Sequence, residues 1–316
     1  MGAYVTRRFG VAIVQILVVA TLVFAFLHLM PGDPVMIILG SERSIEPEQV
    51  AAVRHSLGLD QPLPVQYFTW LQQLVRLDLG TSLVDNTPVQ ATLGERFPRS
   101  LELVFAATVL AVVVAIPMGV VAALQRNRAP DILLSGASAL GISLPVYVTG
   151  LLLVLLFGVA LRWLPTQGYV EFTEDPLDHV LHLLMPAVVL AFGLAATVTR
   201  MTRSSLLEVL NQDYVRTARA KGVHERGVVY GHAVRNALVP VVTVVGVQIG
   251  ALVGGAVLVE YIFNWPGIST LLITAIGRRD YPTVQGVVLV ASAFLIFVNL
   301  AVDLLYGFLD PRIRRA

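Results

Sequence analysis

The sequence predicts an all-α integral membrane protein with six membrane-spanning helices. Of its 316 residues, 56% are apolar and 14% charged, whereas about a quarter of a soluble domain is charged. Mean hydropathy is +0.76. Apolar runs near the roughly 20 residues that cross a bilayer recur six times along the chain. These observations exclude soluble globular and disordered classes. The absence of cysteine excludes disulfides, thioether-linked haem and cysteine-ligated metal, so extracytoplasmic parts must cohere by packing alone.

The expected spans cover about 9–30, 100–124, 132–161, 183–199, 238–263 and 284–307. Arg7 and Arg8 precede the first run as they would in a signal peptide. That run is longer than the roughly 7–15 apolar residues of a signal core and no A-x-A site follows it, so it reads as a retained anchor. Pro145, flanked by Ser143 and Tyr147, is expected to kink the third span and expose polar groups; the kink is either a gate hinge or a matter of shape. In the fifth span Gly246, Gly250 and Gly254 fall at i, i+4 and i+8, a seam of small residues that serves packing within one subunit, a pathway wall or a partner contact.

Orientation follows from basic residues near the spans. With both termini cytoplasmic, the inner segments hold 14 of the 22 basic residues against five acids, a net of +9, and the outer segments net −5. An outer loop at 31–98 has apolar periodicity broken by Pro62, Pro64 and Pro88 and is expected to form short helices in a cap. A second outer loop, 162–182, is acidic, and an inner loop, 200–237, carries seven basic residues. The expected organisation is 1–30 for the cytoplasmic N-terminus and first span, 31–98 for the cap, 99–309 for a five-helix core and 310–316 for a cytoplasmic tail.

No catalytic constellation is visible. A P-loop needs G-x-x-x-x-G-K-[ST], but the chain's one lysine, Lys221, lies in Ala220-Lys221-Gly222. The chain should therefore bind neither ATP in that way nor a cofactor or metal of its own. His179 and His182 are spaced i, i+3 without a third ligand and read as ordinary interfacial residues. Nothing points to nucleic acid.

The inner loop is the most informative stretch. In the run Asp213-Tyr214-Val215-Arg216-Thr217-Ala218-Arg219-Ala220-Lys221-Gly222, Asp213 can cap a short helix that Gly222 ends. Such a helix is not stable alone in water and must gain order by docking. Thr217, Ala218 and Gly222 would permit close approach to a partner groove. The spacing equally suits a basic helix resting on anionic head groups.

This segment resembles the cytoplasmic coupling loop of ABC importer permeases in its dipeptide/oligopeptide/nickel version, D-Y-V-R-T-A-R-A-K-G. Of the general E-A-A…G pattern only Ala218 and Gly222 match. Further similarities run along nearly the whole chain: Met30-Pro31-Gly32-Asp33-Pro34-Val35, Leu79-Gly80-Thr81-Ser82, Phe97-Pro98-Arg99-Ser100-Leu101, Arg200-Met201-Thr202-Arg203-Ser204-Ser205, Glu260-Tyr261-Ile262-Phe263-Asn264-Trp265-Pro266-Gly267 and Leu309-Asp310-Pro311-Arg312-Ile313-Arg314. Leu77 departs from the pattern, where glycine is expected. The resemblance implies type I importer architecture in the bacterial inner membrane. It also implies pairing with a second, related permease, two ATP-binding subunits that carry ATP and Mg, and an extracytoplasmic solute-binding protein; a homodimer stays open.

Glu102, Glu260 and Asp303 lie in or near the bilayer, where carboxylates are costly. All three sit near span ends and read either as structural pairs or as a proton path. Gln248 and Asn299 are deeper polar candidates for the pathway. The rival to an ATP-driven peptide importer is therefore a proton-coupled secondary transporter. The net −5 of the outer loops would favour cationic or zwitterionic solutes at the mouth.

Overall fold

The computed structural model describes residues 2–29, 35, 47–56 and 58–309. Among the described residues the regular structure is helical, with one isolated antiparallel bridge between Thr81 and Pro88. Most of the 30–35 motif and the 310–316 tail, with its three arginines, lie outside them. The elements are α1 (Gly2–Leu29), α2 (Pro47–Ser56), α3 (Leu63–Val75), α4 (Val89–Leu124), α5 (Ala129–Ser143), α6 (Val146–Leu153, extended in π-helical geometry over Val154–Ala160), α7 (Pro176–Leu210), α8 (Asp213–Ala220), α9 (Arg235–Ile262, entered from a π-helical stretch Gly227–Val234), α10 (Ile268–Gly277) and α11 (Tyr281–Leu309).

Among the described residues, five helices are long and apolar enough to cross a membrane, and a sixth span exists if α5 and α6 count together. The third span is not a kinked rod. The chain bends by 107° between α5 and α6, with Leu144 and Pro145 extended at the break and Pro145 standing as the N-cap of α6. Proline has no N–H and sets its predecessor in extended backbone, which ends α5 outright. Helix α7 exceeds the expected fourth span at both ends; its early start is set by Asp175, whose carboxylate accepts from the Leu177 and Asp178 amides at 3.0 Å each.

The chain divides into two compact units. One comprises Ser100–Trp265 and the stretch from Val298 onward. Its core is the alanine stripe Ala107, Ala111 and Ala115 of α4, packed with Met185, Val189, Leu190 and Leu194 of α7 and Val241, Ala256 and Val259 of α9. Small side chains allow close helix approach where lipid supplies no hydrophobic drive. Gly119 marks a close approach of α4 to α7, since a Cβ there would stand 2.6 Å from Thr202 Cβ and 2.7 Å from the Thr199 carbonyl. Gly141 of α5 is similar, 2.8 Å from Ala196 Cβ.

The other unit comprises Gly2–Arg99 and Pro266–Phe297. Val89 and Leu93 of α4 pack on Ile268 of α10 and Val287 of α11, and a Cβ on Gly286 would meet Val89 Cγ1 at 2.6 Å. The Asp280 carboxylate accepts from Ser82 Oγ (2.6 Å), Thr283 Oγ1 (2.7 Å) and the Leu83 amide (3.0 Å), clasping the loop before α4 to the start of α11.

Candidate functional site: a docking helix and a helix-lined cleft

Helix α8 forms where the sequence expects it, with one difference at its start. Gln212 is the N-cap and makes no side-chain cap bond, while Asp213 is the first helical residue. Asp213 instead favours the positive helix N-terminus and faces Arg216, 3.5 Å from its Nη1. At the other end Gly222 takes φ +78°. Its amide donates to the Arg219 carbonyl (3.0 Å) and the Val223 amide to that of Ala218 (3.2 Å). This double closure requires a left-handed residue, the role that glycine fills without strain.

The order expected from docking comes first from the chain itself. Val215 is fully buried, and the Tyr214 hydroxyl accepts from Asn236 Nδ2 at 2.9 Å. Helix α8 thereby packs on the Gly227–Val234 stretch and on α7. Arg216, Thr217, Arg219, Lys221 and Gly222 stay exposed and Ala218 half-buried. Arg219 donates to Glu225 at 2.8 and 3.1 Å, and that guanidinium holds the Glu225 carboxyl below its ordinary value. The result is a short, internally braced helix with a cationic outer face.

Within the same unit, a cleft of about 190 Å³ opens between the α5–α6 break, α7 and α9. Gly141, Leu144, Val146 and Thr149 line one side, Phe192 and Gly193 another, and Gln248, Ala251, Leu252 and Gly255 the third. Gln248 is thus brought to the cleft, but the expected glycine seam is not. Gly246 faces α11, where a Cβ would stand 2.6 Å from Val302 Cγ2, and Gly254 is exposed with open space around it. Gly250 is half-buried, outside the lining. The lining stripe runs at 248, 251/252 and 255, turned one residue from the seam. Only neighbouring helices decide which stripe faces inward. Pro145 shapes the break without lining the cleft, Tyr147 points away exposed, and Asn299 is exposed on α11.

Each of the three acids has its own surroundings. Glu260 is fully buried and accepts from Ser100 Oγ at 2.6 Å. Glu102 lies 2.7 Å from His179 Nε2, and the other ring nitrogen lies 2.7 Å from the Val170 carbonyl. A carbonyl can only accept, so Nδ1 carries a hydrogen and one further proton sits between Nε2 and Glu102. Tyr169, Phe172 and Trp265 contact the His179 ring edge-on. His182 instead faces the Asp178 carbonyl at 2.8 Å. Asp303 is half-buried on α11.

Sequence reasoning missed the pair of Asp131 and Arg203. Asp131, counted only as a cytoplasmic acid, is buried and receives a two-pronged contact from Arg203, Nη2 to Oδ2 at 2.8 Å. It also accepts from the Asn127 amide (2.9 Å) and Ser135 Oγ (3.2 Å). The pair ties the start of α5 to α7, the helix that leads into α8. No local spacing marks it, because its members are 72 residues apart.

Two family models cover the chain. That for the binding-protein-dependent transport system inner membrane component matches residues 115–315, and that for the N-terminal part of such components matches residues 1–104. The chain belongs to this family. It is a multi-pass membrane component of a binding-protein-dependent transport system. It is 43% identical to a glutathione transport system permease protein of Salmonella paratyphi A over 311 residues, 98% of each chain. It is also 43% identical to a dipeptide transport system permease protein of Escherichia coli K12, covering 99% of each. A peptide permease protein of Brucella ovis, its name marked as provisional, is 44% identical with 99% of each covered. A permease of this family has no need of the proton-coupled alternative.

Proposed function

We propose that this chain is the membrane-spanning, non-catalytic permease subunit of an ATP-driven ABC importer for di- or oligopeptides or related small solutes. It forms half of the translocation pathway beside a second, related permease. Two ATP-binding subunits, which carry ATP and Mg, receive the α8 platform, and an extracytoplasmic solute-binding protein delivers the solute. Both termini face the cytoplasm, the 31–98 segment lies on the opposite side, and residues 99–309 form the core. The observation that carries the reading is α8 itself: a helix braced by Val215 and Tyr214 that leaves Arg216, Thr217, Arg219 and Lys221 outward. The names of the relatives, all peptides or a peptide-like thiol, support the solute class.

In this reading closure of the ATP-binding subunits moves α8, and with it α7. The Asp131–Arg203 pair and the Gly141–Ala196 contact carry that motion to α5 and to the break beside the cleft. Affinity purification of the tagged chain tests the assembly, and dipeptide uptake by the reconstituted complex tests the solute. Two ATP-binding subunits, a second permease and ATP-dependent uptake are expected. Gly222→Asp should uncouple uptake from hydrolysis, whereas Asp303→Asn should leave it intact. Uptake that survives Gly222→Asp and fails with Asp303→Asn would overturn the reading.

A further inference from the structure

Helix α3 is unlike the rest of the segment that follows the first span. None of its 13 residues is charged and none is buried. Its rings are tied to α1. The Thr21 hydroxyl donates to the Leu17 carbonyl (2.8 Å), so the Tyr67 hydroxyl, 2.8 Å from Thr21 Oγ1, is the donor of that pair. Phe24 meets Tyr67 edge-on at 5.2 Å and Trp70 at 5.6 Å.

These contacts fix depth. Helix α1 continues to Leu29, so Thr21 and Phe24 lie about 8–12 Å inside its C-terminal end at ~1.5 Å per residue. That depth is within the acyl-chain region that an apolar helix of this length crosses, so the α3 rings meet α1 where lipid surrounds it. Beside these contacts on α1, Leu22 and Phe26 are each 62% exposed, as lipid-facing residues are. On α3 the apolar arc is wider than α1 covers. Phe68 and Val75, two turns apart on one side, remain 61% and 80% exposed, while Gln66, Thr69 and Gln73 occupy the opposite arc. A shallow groove of about 280 Å³ runs beside Phe68, Leu71, Gln72 and Val75 to Arg76. An acyl chain below a head-group phosphate suits that lining.

Leu77 supplies an independent sign. It takes φ +60° while 79% exposed. A leucine in left-handed backbone with its side chain in water would be unfavourable twice over, and glycine would avoid both costs. Insertion into lipid removes the second.

We propose that α3 is an interfacial helix, its Phe68, Val75 and Leu77 side chains set among the acyl chains of the leaflet reached by the C-terminal end of α1. The segment is then anchored on the membrane surface instead of standing in water as a cap. The proposal rests on α1 crossing the membrane and is independent of the solute and partner reading.

The cysteine-free chain permits a clean test. Phe68→Cys, Val75→Cys and, as a polar-arc control, Gln73→Cys are each nitroxide-labelled on the purified full chain. The labelled chain is reconstituted with the subunits it purifies with into phosphatidylethanolamine/phosphatidylglycerol vesicles. Collision with oxygen, which partitions into lipid, is compared with a water-soluble nickel chelate. The oxygen-to-nickel ratio should be several-fold higher at 68 and 75 than at 73. Equal nickel access at all three positions, which would mean a water-exposed cap, overturns the proposal. So does exclusion of both reagents at 68 and 75, which would mean cover by another protein. The three sites are exposed, and agreement between 68 and 75 guards against a local distortion at either.

Discussion

Gly222→Ala isolates the backbone requirement at the end of α8. The glycine holds φ +78°, and a Cβ built on it meets no atom within 4 Å. No steric clash is added, so the cost is conformational alone, about 1–2 kcal/mol for an L-residue in left-handed geometry. Two hydrogen bonds depend on that geometry, Gly222 N to Arg219 O and Val223 N to Ala218 O. A loss of this size raises the opening equilibrium of the α8 C-terminus roughly 5- to 30-fold. Native-state hydrogen exchange of amides 220–224 in the purified complex should accelerate by that factor, and uptake per ATP hydrolysed should fall. Gly222→Asn should fall between, because asparagine tolerates this region better. Gly231→Ala is the control: its Cβ also meets nothing, but it sits in the helical stretch Gly227–Val234 without a positive φ. Alanine there should leave α8 exchange unchanged or improve local order. If Gly222→Ala and Gly231→Ala exchange alike, the cap argument is wrong.

Three further outcomes are expected. Asp131→Ala leaves the Arg203 guanidinium and the Asn127 amide without their shared acceptor; it should destabilise the purified protein by about 3 kcal/mol, read as a lowered thermal midpoint in detergent. Gly119→Ala should cost about 1–3 kcal/mol, because the added methyl meets α7 backbone that cannot swing away, whereas Gly254→Ala, with open space around it, should be near neutral by the same assay. Glu225 is held below its ordinary value by Arg219. Its contribution to the turn after α8 is therefore complete above the unfolded carboxylate value and lost only as pH falls through the depressed one. Exchange of amides 219–226, corrected for intrinsic rate, should stay flat from neutral pH through mild acid and rise only below the usual carboxylate range. The pair is exposed, so Glu225→Gln at neutral pH should cost under about 1 kcal/mol.

The sequence by itself determined the membrane class, most of the span positions, the absence of a P-loop and the helix from 213 to its glycine stop. All are local: they depend on runs of apolar residues, on motifs of fixed spacing and on one residue that tolerates positive φ. Proline at 145 was legible as a disturbance, but its 107° size was not, since an X-Pro pair ends a helix without saying where the next one goes. Likewise the small residues of the fifth span were visible, while the stripe facing the cleft, 248 to 255, was settled by α7 and by Val302 against Gly246. Asp131 with Arg203, His179 with Glu102 and Ser100 with Glu260 join residues 72, 77 and 160 positions apart. Charge and hydropathy patterns carry no information at that range. Only tertiary packing removes water from such groups, and a buried carboxylate or imidazole must then find its partner wherever the chain has returned beside it.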